Sequence, residues 1–163
     1  MPPSSTPQPL PASGAPADAS AASRGFVVEI RVVFGDCDPA GIVYFPNFYR
    51  WFDQATHDLC AAAGYDLGEV RAQRGWVGYP IAEASAKFRA PATFGDLITV
   101  ETRVQTWQPR FFLLSHRVRR GGQLLAEGAQ TRFIGYHDAS RGGKLAALEI
   151  PAAFREAIDA VAY

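Results

Sequence analysis

Phe48, Trp51, Phe52, Ala55, Leu59 and Ala62 recur at spacings of mostly three and four residues, and no other feature restricts the fold so strongly. That spacing predicts a helix of about four turns with one apolar face. The face is bulky, carrying an indole and two phenyl rings between positions 48 and 52. Such a helix has to lie against a broad apolar surface, and a sheet supplies one. Asn47 is placed to cap its start and Gly64 to end it.

Most of the remaining pattern is strand. Phe26–Phe34 (FVVEIRVVF) is rich in β-branched and aromatic residues and predicts a strand. From Gly95 the period becomes two: Ile98, Val100 and Val104 alternate with Thr99, Glu101, Arg103 and Gln105. After the Trp107-Gln108-Pro109 interruption, Arg110–Arg120 predicts a second strand of this set. Gly121-Gly122 is a two-residue hairpin signal, and Gln123–Tyr136 predicts a third strand. Arg141-Gly142-Gly143 marks another turn. Pro151 opens a short helix with Phe154, Ile158 and Val161 on one face. The order predicts an α+β fold, a long helix packed on one face of a curled antiparallel sheet. Strict strand–helix alternation is missing, so parallel α/β architectures do not fit.

Hydrophobic residues fill 48% of 163 positions, enough for a core in one domain without disulfides or metals. Lys plus Arg and Asp plus Glu number 16 each, which argues against a nucleic-acid binder held by phosphate contacts and against polybasic membrane attachment. No apolar run reaches the ~20 residues of a membrane helix. Cys37 and Cys60 have neither the number nor the spacing of a disulfide framework or zinc site, and read as reduced thiols in a cytoplasmic protein. Residues 1–25 are different in kind: Pro, Ala, Ser and Gly occupy 19 of the 25 positions. They predict a disordered tail, which leaves 26–163 as the folded domain.

The loop Gly35-Asp36-Cys37-Asp38-Pro39-Ala40-Gly41-Ile42-Val43-Tyr44-Phe45-Pro46-Asn47 carries most of the chemistry. It offers two carboxylates and the unpaired N–H groups of a helix start, where the helix dipole favours a developing oxyanion. Pro46 has no N–H, so the nearest donors are those of Phe45 and Asn47. A carboxylate beside such donors is the minimum equipment for acyl transfer. The same residue types also build ordinary turns and caps.

Read whole, GDCDPAGIVYFPNFYRWFDQATHDL resembles the signature of the hotdog-fold thioesterases, and within them the branch that hydrolyses 4-hydroxybenzoyl-CoA. The similarity continues through Gly75–Ile81, Thr106-Trp107 and Leu148–Pro151. The resemblance implies a central helix wrapped by an antiparallel sheet, and homodimers with sites at the interface, commonly paired into tetramers. It implies hydrolysis of an aryl-CoA to the free acid and CoA, with no cofactor and no metal. It makes Asp38 the catalytic carboxylate, as nucleophile or as the base for water, and the Phe45 N–H the oxyanion donor. It matches Asp53 to the residue that contacts the ring hydroxyl, and gives Tyr44 and Tyr79, with Leu67, a part in shaping the acyl pocket. Arg110 falls at a basic position expected to hold CoA phosphates. Two neighbouring basic positions read Gln108 and Ala146 here, which leaves Lys144, Arg141 or Arg89 as replacements.

Short-chain relatives carry His where this chain has Phe45, so an aromatic acyl group is favoured over a short one. Other readings are a thioesterase for benzoyl, aminobenzoyl or short-chain groups, a hydratase, and a non-catalytic acyl-CoA-binding protein. Hotdog hydratases pair the Asp with a His about five residues on, which is Val43 here. The intact Asp38 loop opposes a non-catalytic role. The ordinary reading of Asp53 is a solvated helix carboxylate paired with Arg50 or His57. Cys37 and Cys60 read as packing, Glu83 has no specific support as a second carboxylate, and His57, His116 and His137 lack metal-ligand spacing.

Overall fold

The computed structural model describes residues 25–162. The expected tail lies outside them, Gly25 excepted. In chain order the elements are β1 (Phe26–Arg31), α1 (Pro46–Ala62), α2 (Leu67–Arg74), β2 (Trp76–Gly78), β3 (Ile81–Phe88), β4 (Leu97–Trp107), β5 (Phe112–Arg120), β6 (Gln123–Arg132), β7 (Gly135–Asp138), β8 (Lys144–Ala147) and α3 (Ala152–Ala162). An antiparallel sheet has the order β1-β4-β5-β6-β3, and a smaller one the order β2-β7-β8. The fold is α+β, with α1 laid against the larger sheet.

The bulky face of α1 is buried over most of its length: Phe48, Trp51, Phe52, Ala55 and Leu59 are all covered, while Ala62 at the end of the stripe is exposed. The first four share a cluster with Ile98 and Val100 of β4, Val118 of β5, and Leu125 and Ala126 of β6, and Leu59 joins a second one with Val104, Phe112 and Leu114. Each large apolar side chain taken from water contributes about 1.5–3 kcal/mol. Phe52 makes the closest approach. A Cβ at Gly128 would come within 2.4 Å of its ring, so β6 has to be bare there. The Phe52 ring stacks on His116 at 4.8 Å. Burial pushes the His116 imidazole down to about 3, so it is neutral near pH 7. Farther along, Phe154 of α3 meets the rings of Tyr65, Trp76, Tyr79 and Phe112 at 4.9–5.9 Å.

Two local expectations are corrected. Asn47 does not cap α1: the cap is Phe45, Pro46 takes the first helical position, and the Asn47 side chain instead donates to the Asp36 carbonyl at 2.8 Å. The strand expected over Gln123–Tyr136 is two strands in different sheets, because Phe133 turns its N–H to the Pro80 carbonyl and Ile134 drops into the core. The elements α2 and β2 carry no periodic signal long enough to read.

The Gly121-Gly122 hairpin is as expected, with Arg120 paired to Gln123 and Gly121 at φ 56. Strand β3 is exposed on both faces along nearly its whole length and pairs on one side only, with β6.

Gly128→Ala is expected to destabilise the fold by about 1–3 kcal/mol through overpacking against Phe52. A chemical denaturation midpoint equal to that of wild type would contradict the close approach.

Candidate active site

The loop between β1 and α1 is a small hairpin. Cys37 bridges Val43, the Asp38 N–H donates to the Ile42 carbonyl at 2.9 Å, and the Gly41 N–H returns to the Asp38 carbonyl at 2.9 Å. Asp-Pro-Ala-Gly builds the turn for separate reasons. Pro39 presets its own φ, Asp38 accepts the Ala40 N–H through Oδ1 at 2.8 Å, and Gly41 takes a left-handed φ of 78°.

The two aspartates of this hairpin do different things. Asp36 is buried and both its carboxylate oxygens are committed. Oδ2 accepts the Val33 N–H at 3.0 Å, and Oδ1 accepts from Arg50 Nη2 at 2.5 Å. Its carbonyl also takes the Tyr44 N–H and the Asn47 amide, both at 2.8 Å. Asp36 therefore ties the hairpin to the first turn of α1. Asp38 is half-buried; Oδ2 has no hydrogen-bond partner among the described residues, so one oxygen is held by the turn and the other is available. Cys37 packs against the core.

Of the two donors expected at the helix start, one is taken. The Asn47 N–H donates to the Tyr44 carbonyl at 2.9 Å. Among the described residues the Phe45 N–H has no partner, and it sits where the helix dipole favours negative charge. The Phe45 side chain lines an apolar groove of about 380 Å³ with Phe48, Phe88, Ile42 and Ala92. Tyr44 packs edge-on against Phe45 at 5.5 Å and is half exposed.

Asp53 and Tyr79 line a second depression, of about 350 Å³, with His57, Leu67, Arg71 and Ile81. The expected partners of Asp53 are not the main ones. Arg50 belongs to Asp36, and His57 Nε2 is 3.8 Å from Asp53 Oδ1, with the imidazole pKa lowered by burial against the opposing pull of Asp53. The partner of Asp53 is Arg132, whose Nη2 donates to Oδ1 at 2.7 Å. Tyr79 is buried, and its hydroxyl donates to the Tyr65 carbonyl at 2.7 Å, so it meets the depression with its ring. Arg110 and Lys144 are both exposed and both near β8: Arg110 Nη1 donates to the Ala147 carbonyl at 3.3 Å, and Lys144 begins the strand. Arg89 rims the Phe45 groove but is paired with Glu127 at 2.9 Å. Arg132 escapes a reading based on site motifs. Its trace in the sequence is phase: Ala126, Gly128, Gln130 and Arg132 alternate inward on β6, so the last two are polar residues at core positions.

Residues 32–158 match the family model of the thioesterase-like superfamily. The chain belongs to that superfamily. Its fold is the hotdog fold, and it is an enzyme, a thioesterase. It is 36% identical to the 4-hydroxybenzoyl-CoA thioesterase of Pseudomonas sp. (strain CBS-3) over 140 residues, covering 82% of this chain and 97% of that one. It is 34% identical over 103 residues to the 1,4-dihydroxy-2-naphthoyl-CoA hydrolase of Thermosynechococcus vestitus (strain NIES-2133 / IAM M-273 / BP-1), with 63% and 70% covered. A crystal structure of a 4-hydroxybenzoyl CoA thioesterase mutant complexed with 4-hydroxybenzoyl CoA superimposes with a TM-score of 0.76 at 34% identity, over 83% of this chain and 99% of that one. Among the described residues no helix is long and apolar enough to cross a membrane.

Asp36→Ala is expected to lower stability by about 1–3 kcal/mol, because it strands the part-buried Val33 N–H and cuts the tie between the hairpin and α1. The exposed Arg50 adds little to that figure. Asp38→Ala is expected to cost clearly less. Denaturation of the two variants side by side checks the division, and equal losses would contradict it.

Proposed function

We propose that this thioesterase hydrolyses an aryl-CoA thioester, with 4-hydroxybenzoyl-CoA as its preferred acyl-CoA, releasing the free acid and CoA. The observation that carries the reading is the pairing, on one hairpin, of a carboxylate with a free oxygen (Asp38 Oδ2) and an unpaired helix-start N–H (Phe45). In this reading the Phe45 N–H donates to the thioester oxygen as negative charge develops on it. Asp38 either attacks the carbonyl carbon, forming an anhydride that water then cleaves, or takes a proton from the attacking water. The CoA sulfur leaves as a thiolate. A thiol pKa of about 8.5 makes it a good leaving group, so Asp38 needs no partner acid.

The ring preference rests on the match of Asp53 to the residue that contacts the ring hydroxyl in the family signature. Phe45, Tyr49 and Asp53 recur every four residues and share a face of α1. In this reading the carbonyl is held at the Phe45 N–H and a para hydroxyl is received by Asp53. The named relatives support the class: one acts on 4-hydroxybenzoyl-CoA, another on a dihydroxynaphthoyl-CoA.

Arg110 and Lys144 are the groups assigned to the CoA phosphates. Assembly belongs to the same reading. The unpaired edge of β3 and its exposed Ile81 and Phe88 suit a homodimer, and a dimer of dimers beyond it, that walls in both depressions. Sedimentation at assay concentration reads this directly, and an active monomer would overturn it. The free thiols Cys37 and Cys60 suit a cytoplasmic setting.

Thiol release from a panel of aryl- and alkyl-CoA esters tests the function. Asp38→Asn is expected to lower kcat about 10²–10⁴-fold. Asp53→Ala is expected to lower the preference for 4-hydroxybenzoyl-CoA over benzoyl-CoA roughly 10–100-fold. Wild-type turnover by Asp38→Asn would overturn the catalytic assignment, and an unchanged preference in Asp53→Ala would overturn ring recognition.

A further inference from the structure

We propose that Arg132 is a positioning residue for substrate selectivity: buried beneath α1, it fixes one oxygen of Asp53 so that the other is presented to the para substituent of the acyl ring. The proposal rests on the ring-recognition role given to Asp53 above and extends it to a residue that never meets the substrate.

Arg132 is 1% exposed, and a guanidinium keeps its charge even there. A buried charge needs a counter-charge and full hydrogen bonding. Here every nitrogen is committed. Nε and Nη2 donate to Gln130 Oε1 at 3.0 and 2.8 Å, Nη1 donates to the Tyr79 carbonyl at 2.9 Å, and Nη2 reaches Asp53 Oδ1 at 2.7 Å. The fork cannot swing without breaking several bonds at once.

The acceptor that aims it is held from behind. His116 lies between Gln130 Oε1, 3.3 Å from Nε2, and Thr102 Oγ1, 3.0 Å from Nδ1. An amide oxygen only accepts, so Nε2 carries the proton and Nδ1 accepts from Thr102. This is the neutral imidazole, the form burial favours. Thr56 Oγ1 is 3.4 Å from the same oxygen. The Gln130 amide nitrogen is buried without a partner. Turning the amide over would set that nitrogen against the Arg132 donors, so the orphaned group follows from aiming the oxygen at the guanidinium.

The consequence appears at Asp53. Oδ1 is pinned, while Oδ2 has no partner among the described residues, and the side chain is 47% exposed on the depression lined by Tyr79 and Leu67. An aspartate on a helix face otherwise samples several rotamers. Pinned, it is a ready-made acceptor. It selects rings whose para group donates, hydroxyl or amino, over rings with methoxy or hydrogen there.

The test is the ratio of kcat/KM for 4-hydroxybenzoyl-CoA to that for benzoyl-CoA in wild type, Arg132→Met, Arg132→Lys and Gln130→Leu. Arg132→Met is expected to lower the ratio roughly 10–100-fold, mainly through KM for the hydroxylated substrate. Arg132→Lys, which keeps the charge and loses the fork, is expected to recover part of it. Gln130→Leu is expected to lower the ratio while leaving Arg132 and Asp53 in place, so it carries the test if Arg132→Met does not fold. A wild-type ratio near one would sink the ring-recognition reading itself. A high wild-type ratio that survives in the folded Arg132 and Gln130 variants, or equal losses on both substrates, would overturn the role of Arg132 alone.

Discussion

The structure depends on how closely α1 can approach its sheet. Phe52 lies on bare backbone at Gly128, and that contact sets the height of the helix over β5 and β6. The consequences run in both directions along α1. Toward its start, Asp36 can reach Arg50 and Asn47, which joins the hairpin to the first turn. Toward its middle, Asp53 comes within reach of Arg132 on β6. A larger residue at 128 would lift the helix and loosen both connections together. The packing term is non-directional and large, while the polar contacts are individually small and geometrically exacting. The first holds the helix down, and the second decide what its ends can do.

The aspartates on this part of the molecule differ in how many carboxylate oxygens the protein uses. Asp36 uses both and is structural. Asp38 gives one to its own turn, and Asp53 gives one to a buried guanidinium. Each of the latter two keeps one oxygen without a partner among the described residues. This is the geometry expected of groups that must be fixed in place and still free to act. The same bookkeeping applies to the backbone: the Asn47 N–H is occupied, and the Phe45 N–H has no partner among the described residues.

The legible parts of the fold were those whose partners are close in sequence or whose pattern is periodic. The apolar stripe of α1, the alternation in β4 and the Gly121-Gly122 turn all satisfy one condition or the other. The helix start was misread because an Asn before an apolar run normally caps it, while here Pro46 sets the first turn and the Asp36 carbonyl claims the Asn47 amide. The break at Ile134 was hidden because a strand that changes sheets keeps its residue types. Strand β3 gives no clear alternation because, among the described residues, both of its faces are largely uncovered. Asp38, Phe45 and Asp53 stood out only through resemblance to a family motif, since carboxylates in turns and on helices are common. The Asp53 partner lies 79 residues away, beyond any local pattern, although two polar residues at inward positions of β6 were a usable sign.

Charge and shape together bear on how such a chain handles a large anionic thioester. Acidic and basic residues balance at 16 each, so no overall field gathers the substrate, and in the proposed reading a few local cations hold the phosphates. Arg110 and Lys144 converge on β8, whereas Arg89 is already engaged by Glu127. The groove at Phe45 and the depression at Asp53 are separate and open in one chain, yet they belong to the same helix face. A ring spanning from Phe45 to Asp53 would cross the ground between them with only α1 behind it. In the dimer proposed above, a second copy supplies the other wall, and β3, with its open edge and its exposed Ile81 and Phe88 bordering the two hollows, is the face that meets it.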